Sequence, residues 1–96
     1  MEEIIFLKSA GEEFESAVDY YNLQSEGLGF EFALEIKRTL KRIRQYPLAW
    51  HMLSFNTRRC RTKRFPYGVV YSVRENQIIV VAVMHLHKAP RNWTEQ

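Results

Sequence analysis

Arg59, Arg61 and Lys63 occupy every second position of a run, Thr57 to Arg64, that holds five cations and no acid. Alternation of this kind in a β-strand sends side chains to one sheet face. The three are therefore expected on one side, with Arg58, Cys60, Thr62 and Arg64 on the other. Cations gathered in this way suit a phosphodiester or an acidic protein surface. His85 and His87, with ordinary pKa values of about 6.5, add groups that exchange protons near neutrality. Metal-free RNA cleavage needs the 2′-hydroxyl deprotonated, the leaving oxygen protonated and the charge of the phosphorane stabilised. Arg59, Arg61 and Lys63 as charge stabilisers, with His85 and His87 as acid and base, form the candidate catalytic set. The competing structural reading makes the cations a solvated edge that discourages strand addition, and His85 a strand-end residue bonded to backbone.

Further cations sit at helical spacing. Lys37, Lys41 and Arg44 share one flank of a helix, and Arg38 and Arg42 another, although like charges four apart repel by a few tenths of a kcal/mol. With Arg58, Arg64 and Trp93 they are candidates for binding a target or nucleic acid. Trp50, Tyr46 and Trp93 have the type to stack on bases, or to cap the core. Cys60, between two arginines, is either a thiol with a lowered pKa or an inward-packed side chain. His51, Cys60, His85 and His87 have no zinc-signature spacing, so neither a metal nor a cofactor is expected.

Charge is divided along the chain. Residues 1–36 hold nine acids against Lys8, a net of −8, and from residue 37 onward 13 bases face Glu75 and Glu95, a net of +11. This asymmetry implies either an anionic or acidic partner or charge pairing between the two halves. A length of 96 residues with 46% hydrophobic character supports one packed domain, 1–96, with one core. The single cysteine excludes an intramolecular disulfide, the start lacks the pattern of a signal peptide, and the longest apolar run, Ile78 to Met84, is far short of the roughly 20 residues of a membrane helix. A cytoplasmic protein with no membrane partner is expected.

The elements that must position these residues follow from periodicity. Ile4 to Leu7 predicts a buried strand. Ser9 with Glu12 fits a capping box for a first helix, whose apolar face is Phe14, Ala17, Val18 and Tyr21. Leu28, Phe32, Ile36, Leu40 and Ile43 predict a second helix that Pro47 stops near Gln45. An irregular stretch with Trp50 and His51 precedes the basic strand. Tyr67 to Val73 and Ile78 to Met84 then predict strands joined by a turn at Glu75-Asn76. The order β-α-α-β-β-β predicts an α+β fold with a helical hairpin packed on one face of a largely antiparallel sheet.

The ordered set resembles the RelE/ParE toxin superfamily of bacterial type II toxin-antitoxin systems. Its carriers are Ala17-Val18-Asp19-Tyr20-Tyr21, Gly27-Leu28-Gly29 with Phe32, Tyr46-Pro47, and Arg64-Phe65-Pro66-Tyr67-Gly68-Val69-Val70-Tyr71 leading to Ile79 through His85, then Pro90 and Trp93. The last two groups are typical of the ParE-like and plasmid-stabilisation branch. The resemblance implies a growth-inhibiting toxin held inactive by a cognate antitoxin, whose C-terminal segment covers the helix hairpin and sheet edge. It implies one of two targets: DNA gyrase, as for ParE-like members, or mRNA on the ribosome, cut by RelE-like endonucleases. Those nucleases carry basic residues on the strand before the meander, matched here by Arg59, Arg61 and Lys63, and an Arg on the next strand, where this chain has Gly68. Near the C-terminus they carry a Tyr or His, where this chain has His85, His87 and Trp93. The gyrase-binding reading is therefore preferred, with the mRNA endonuclease and an inert antitoxin-binding relic as the alternatives.

Overall fold

The computed structural model describes residues 3–88, so Pro90 and Trp93 lie outside the described residues. The first apolar run forms β1 (Glu3–Phe6), and the chain turns at once into α1 (Lys8–Gln24). Leu7 N–H donates to the Val80 carbonyl at 3.0 Å, which holds Leu7 as the last extended residue and makes it the N-cap. The expected Ser9-Glu12 capping box does not form, and no side chain caps this helix. A tertiary bond, and not the local motif, sets the boundary.

The second helix, α2 (Leu28–Gln45), buries the expected stripe: Phe32, Ile36 and Ile43 are inside, with Leu28 and Leu40 packed against them. It ends before Tyr46-Pro47, as the restriction on a residue preceding proline requires. Gly29 lets the two helices close. A Cβ there would collide with the Val18 carbonyl oxygen, and its N–H donates to Asn22 Oδ1 at 2.8 Å.

The stretch expected to be irregular contains a short edge strand, β2 (His51–Ser54), and β3 (Thr57–Arg61), β4 (Tyr67–Arg74) and β5 (Gln77–His85) complete the sheet. Strand order is β1-β5-β4-β3-β2, with β1 parallel to β5 and every other pair antiparallel. The turn at Glu75-Asn76 is as expected, with Glu75 at φ 54. The α+β arrangement holds, with one strand more than the sequence pattern supplied.

The two faces of the sheet differ. On the helix side, Cys60, Val69, Tyr71, Ile78 and Val80 join an aromatic cluster built from α1, α2 and the β3–β4 connection. Phe32 lies 4.9 Å from Tyr67 and 5.2 Å from Phe65, centroid to centroid, both edge-on, and each such pair adds about 0.5–1.5 kcal/mol beyond its area. Tyr71 is fully buried and its hydroxyl donates to the Pro47 carbonyl. Among the described residues no helix covers the opposite, open face. Its centre is Val70 and Ala82, roofed by Leu53, Val81 and Met84, where the register shifts by one residue between Val70 and Tyr71.

Candidate functional site

The register of β3 on β4 decides where the basic run goes. Arg59 faces Val70, Cys60 faces Val69 and Arg61 faces Gly68, and paired residues of an antiparallel ladder share a face. Arg59 and Arg61 therefore lie on the open face, and Cys60 on the helix side, where it is fully buried. Burial pushes the Cys60 thiol up, partly opposed by the Arg42 guanidinium beside it, so Cys60 packs inward.

The expected third cation does not continue the row. β3 ends at Arg61: the Thr62 N–H still bonds the Tyr67 carbonyl, but α2 engages the Arg61 carbonyl and the Lys63 N–H. Arg42 Nη2 donates to the Arg61 carbonyl at 3.0 Å, and the buried Glu35 accepts the Lys63 N–H at 2.7 Å through Oε2. Lys63 is exposed on this connection and not on the strand face. Arg64 pairs with Glu31 at 2.8 Å and lies 5.1 Å above the Phe65 ring. Arg58, on the helix side, donates through Nη1 to the Trp50 carbonyl at 3.0 Å. Trp50 itself packs against the core. The roles of Glu35 and Arg42 were not visible in the sequence, since a buried acid and a base two helical turns apart read there as ordinary surface charge.

Arg59 is held unusually. Its aliphatic stem lies across Gly68, where a Cβ would stand 3.0 Å from both Arg59 Cγ and Cδ. Its Nε is buried with no hydrogen-bond partner. A buried donor left without an acceptor costs about 1–3 kcal/mol, so this Nε–H is free to donate to an incoming acceptor. On its other flank Arg59 pairs with His51 of β2.

The histidines sit elsewhere. His85 pairs with Tyr67, the neighbour of Gly68 along β4, and therefore faces the helices. Its ring is 5.1 Å from that of Tyr67, at the wall of a groove of about 640 Å³ between α1 and β5, with Glu12, Glu13, Ser16, Tyr20 and Lys88. Burial first, then Lys88 and His87, lowers the His85 pKa. Its Nδ1 accepts the His87 N–H at 3.0 Å, and His87 is exposed. The sheet thus stands between the candidate acid-base pair and the arginines. The five residues read as one catalytic set are not brought together.

The cations of α2 stay at the surface: Lys37, Lys41 and Arg44 are exposed. Charge pairing between the two halves includes the ion pairs Arg38–Glu35 (3.7 Å) and Arg64–Glu31. No cluster of three or more potential metal ligands occurs among the described residues, and none of their helices is long and apolar enough to cross a membrane. Trp93 lies outside the described residues.

The architecture has a solved counterpart. Superposition on the "Chromosomal ParDE TA system from P. aeruginosa" gives a TM-score of 0.79 over 91% of this chain and 98% of that one, at 13% identity, a likeness that carries the fold alone. No curated protein matches the chain in sequence. The family described as "ParE toxin of type II toxin-antitoxin system, parDE" is matched over residues 4–90, from within β1 through β5, and the chain belongs to it.

Proposed function

We propose that this chain is a growth-inhibiting toxin whose target is a protein, DNA gyrase, and not an mRNA that it cuts. A ParE toxin of a parDE system implies an antitoxin partner, and in this reading the cognate antitoxin neutralises the chain by covering the helical hairpin and the sheet edge. The observation that carries the choice of target is the placement of Arg59 and Arg61 on one face of the sheet and His85 on the other. Cleavage of a phosphodiester needs its proton donor, proton acceptor and charge stabiliser around one phosphate. Binding a protein needs only a complementary surface.

The open face supports the same reading. The hydrophobic cluster beside the arginines is aliphatic, Leu53, Val70, Val81, Ala82 and Met84, with the His51 ring across from Arg59, whereas single-stranded RNA is characteristically held on a series of aromatic platforms.

Expression of the chain alone tests this reading. Growth arrest relieved by the small protein encoded next to it is expected, together with protein-linked DNA breaks, an SOS response and direct binding of purified gyrase. Codon-phased transcript cuts without DNA damage would restore the endonuclease, and normal growth at verified soluble expression would leave the inert, antitoxin-binding relic.

A further inference from the structure

The open face carries a cationic corner beside an aliphatic floor. Arg59 and Arg61 come from alternate positions of β3, and His51 stands across from Arg59 on β2. Next to them Leu53, Val81 and Met84 pack over Val70 and Ala82. Three described acids are engaged away from this corner: Glu31 with Arg64, Glu35 with the Lys63 N–H and Arg38, and Glu3 with Gln77 on the far edge strand. Arg61 is exposed with its side chain outside every ion pair formed by the described residues. Arg59 keeps a buried, unpartnered Nε–H, and its Cγ and Cδ lie across Gly68. This donor has no acceptor among the described residues and is available to an incoming one.

We propose that this face docks an extended acidic-aliphatic segment of the protein target, its carboxylate taken by Arg59 and Arg61 and its apolar side chains seated on Leu53, Val81 and Met84, which cover the buried Val70 and Ala82. The inference rests on the reading that the target is a protein, and it names the chemistry of the segment bound. A guanidinium fork matches the two oxygens of a carboxylate. The stem of Arg59 crosses a glycine, so the guanidinium can lift from the sheet to meet that carboxylate by torsion of its own side chain, with no backbone movement. The aliphatic floor takes branched side chains and offers no ring for a base. Negative charge next to branched aliphatic residues is the pattern that satisfies both parts of the face.

The test is a titration of the full-length, isotope-labelled chain, followed by NMR, with two probes: an octapeptide of alternating Glu and Leu, and octauridylate. The peptide is expected to shift the Arg59 Nε–H signal and the backbone signals of Leu53, Val70 and Met84, and to bind at least about tenfold more tightly than the oligonucleotide. Arg61→Glu, at an exposed position, is expected to weaken the peptide by about tenfold or more while the fold is retained. Arg59→Lys keeps the charge, loses the fork and is expected to weaken the peptide as well. Octauridylate binding the same residues equally well would overturn the inference in favour of a phosphate site. Peptide shifts confined to Lys37 and Lys41 on α2, or indifference to Arg61→Glu, would also overturn it. Gyrase capture runs in parallel. Peptide binding without gyrase binding leaves the site chemistry standing and removes gyrase as the target; gyrase capture undiminished by Arg61→Glu, with no peptide binding, removes the inference alone.

Discussion

Arg59 lies across Gly68, its Cγ and Cδ each 3.0 Å from where a Cβ would stand. Two adjacent strands thus share one space, which the glycine vacates and the arginine stem fills. A nuclease-like Arg at position 68 and the present Arg59 cannot both lie on the sheet there.

Gly68→Ala presses on the flexible Arg59 stem and on Leu86 Cδ2 at 3.3 Å, and a strand alanine loses less backbone entropy than glycine, so the two effects are expected to offset within about 1 kcal/mol. Gly68→Arg has no such remedy and is expected to cost about 1–3 kcal/mol through overpacking. Chemical denaturation of both variants measures this. A Gly68→Arg protein as stable as the parent would mean that the stem is not packed as described.

Glu35 accepts the Lys63 N–H at 2.7 Å from a buried position. Glu35→Leu leaves that N–H without its acceptor and is expected to cost about 1–3 kcal/mol. Glu35→Gln keeps an oxygen in place and should recover part of the loss. Hydrogen exchange at Lys63 checks the mechanism directly, since its protection should fall in the Leu variant and return in the Gln variant.

His85 has a lowered pKa, because burial and the nearby Lys88 and His87 disfavour its charged form. Its neutral form also accepts the His87 N–H through Nδ1. The unfolded state therefore takes up the proton more readily. The stability contributed by neutral His85 is fully present above the ordinary histidine pKa of about 6.5 and is lost as pH falls through the lowered folded value. Melting curves of the parent and of His85→Gln should diverge above that range and converge below it. Parallel curves at every pH would remove the effect.

Cys60 is buried, with its thiol pKa pushed up by burial. The native protein is expected to resist alkylation by iodoacetamide at pH 8, with modification tracking unfolding in urea. Rapid native labelling would show that Cys60 is accessible and ionised instead.

Arg59→Glu and Arg61→Glu together are expected to abolish toxicity while antitoxin binding persists. The stability cost should come mainly from Arg59, whose stem is packed, since an exposed change such as that at Arg61 usually stays within about 0.5 kcal/mol. Colony counts, melting and antitoxin pull-down on each single variant separate the contributions. A folded double variant that still arrests growth would place the active surface elsewhere.

Periodicity made both helices legible, because Phe32, Ile36 and Ile43 repeat over enough turns to exclude other readings, and Tyr46-Pro47 ends α2 by local sterics. It failed where tertiary bonds set local structure. Ser9 looked like a cap until Leu7 N–H was seen bonded to Val80, and His51–Ser54 is a four-residue edge strand too short and mixed to show alternation. The faces of Arg59, Arg61 and Cys60 were readable from the period of two. The departure of Lys63 was not, because it depends on Glu35 and Arg42 reaching across from α2. The separation of His85 from the arginines was likewise hidden, since it follows from Tyr67 and Gly68 facing opposite sides once β5 has paired.

Among the described strands β1 finds its hydrogen-bonding partner only in β5, the last made, through pairs from Glu3↔Gln77 to Phe6↔Val80. As the chain emerges from a ribosome, this edge of the sheet must wait until some seventy intervening residues have been synthesised, several seconds at about 5–20 residues per second. Until then the apolar face of α1 lacks the strand against which it packs. Assembly of the cationic face is consequently a late event, and a nascent chain halted before β5 lacks the strand that joins the start of the protein to the rest of its sheet.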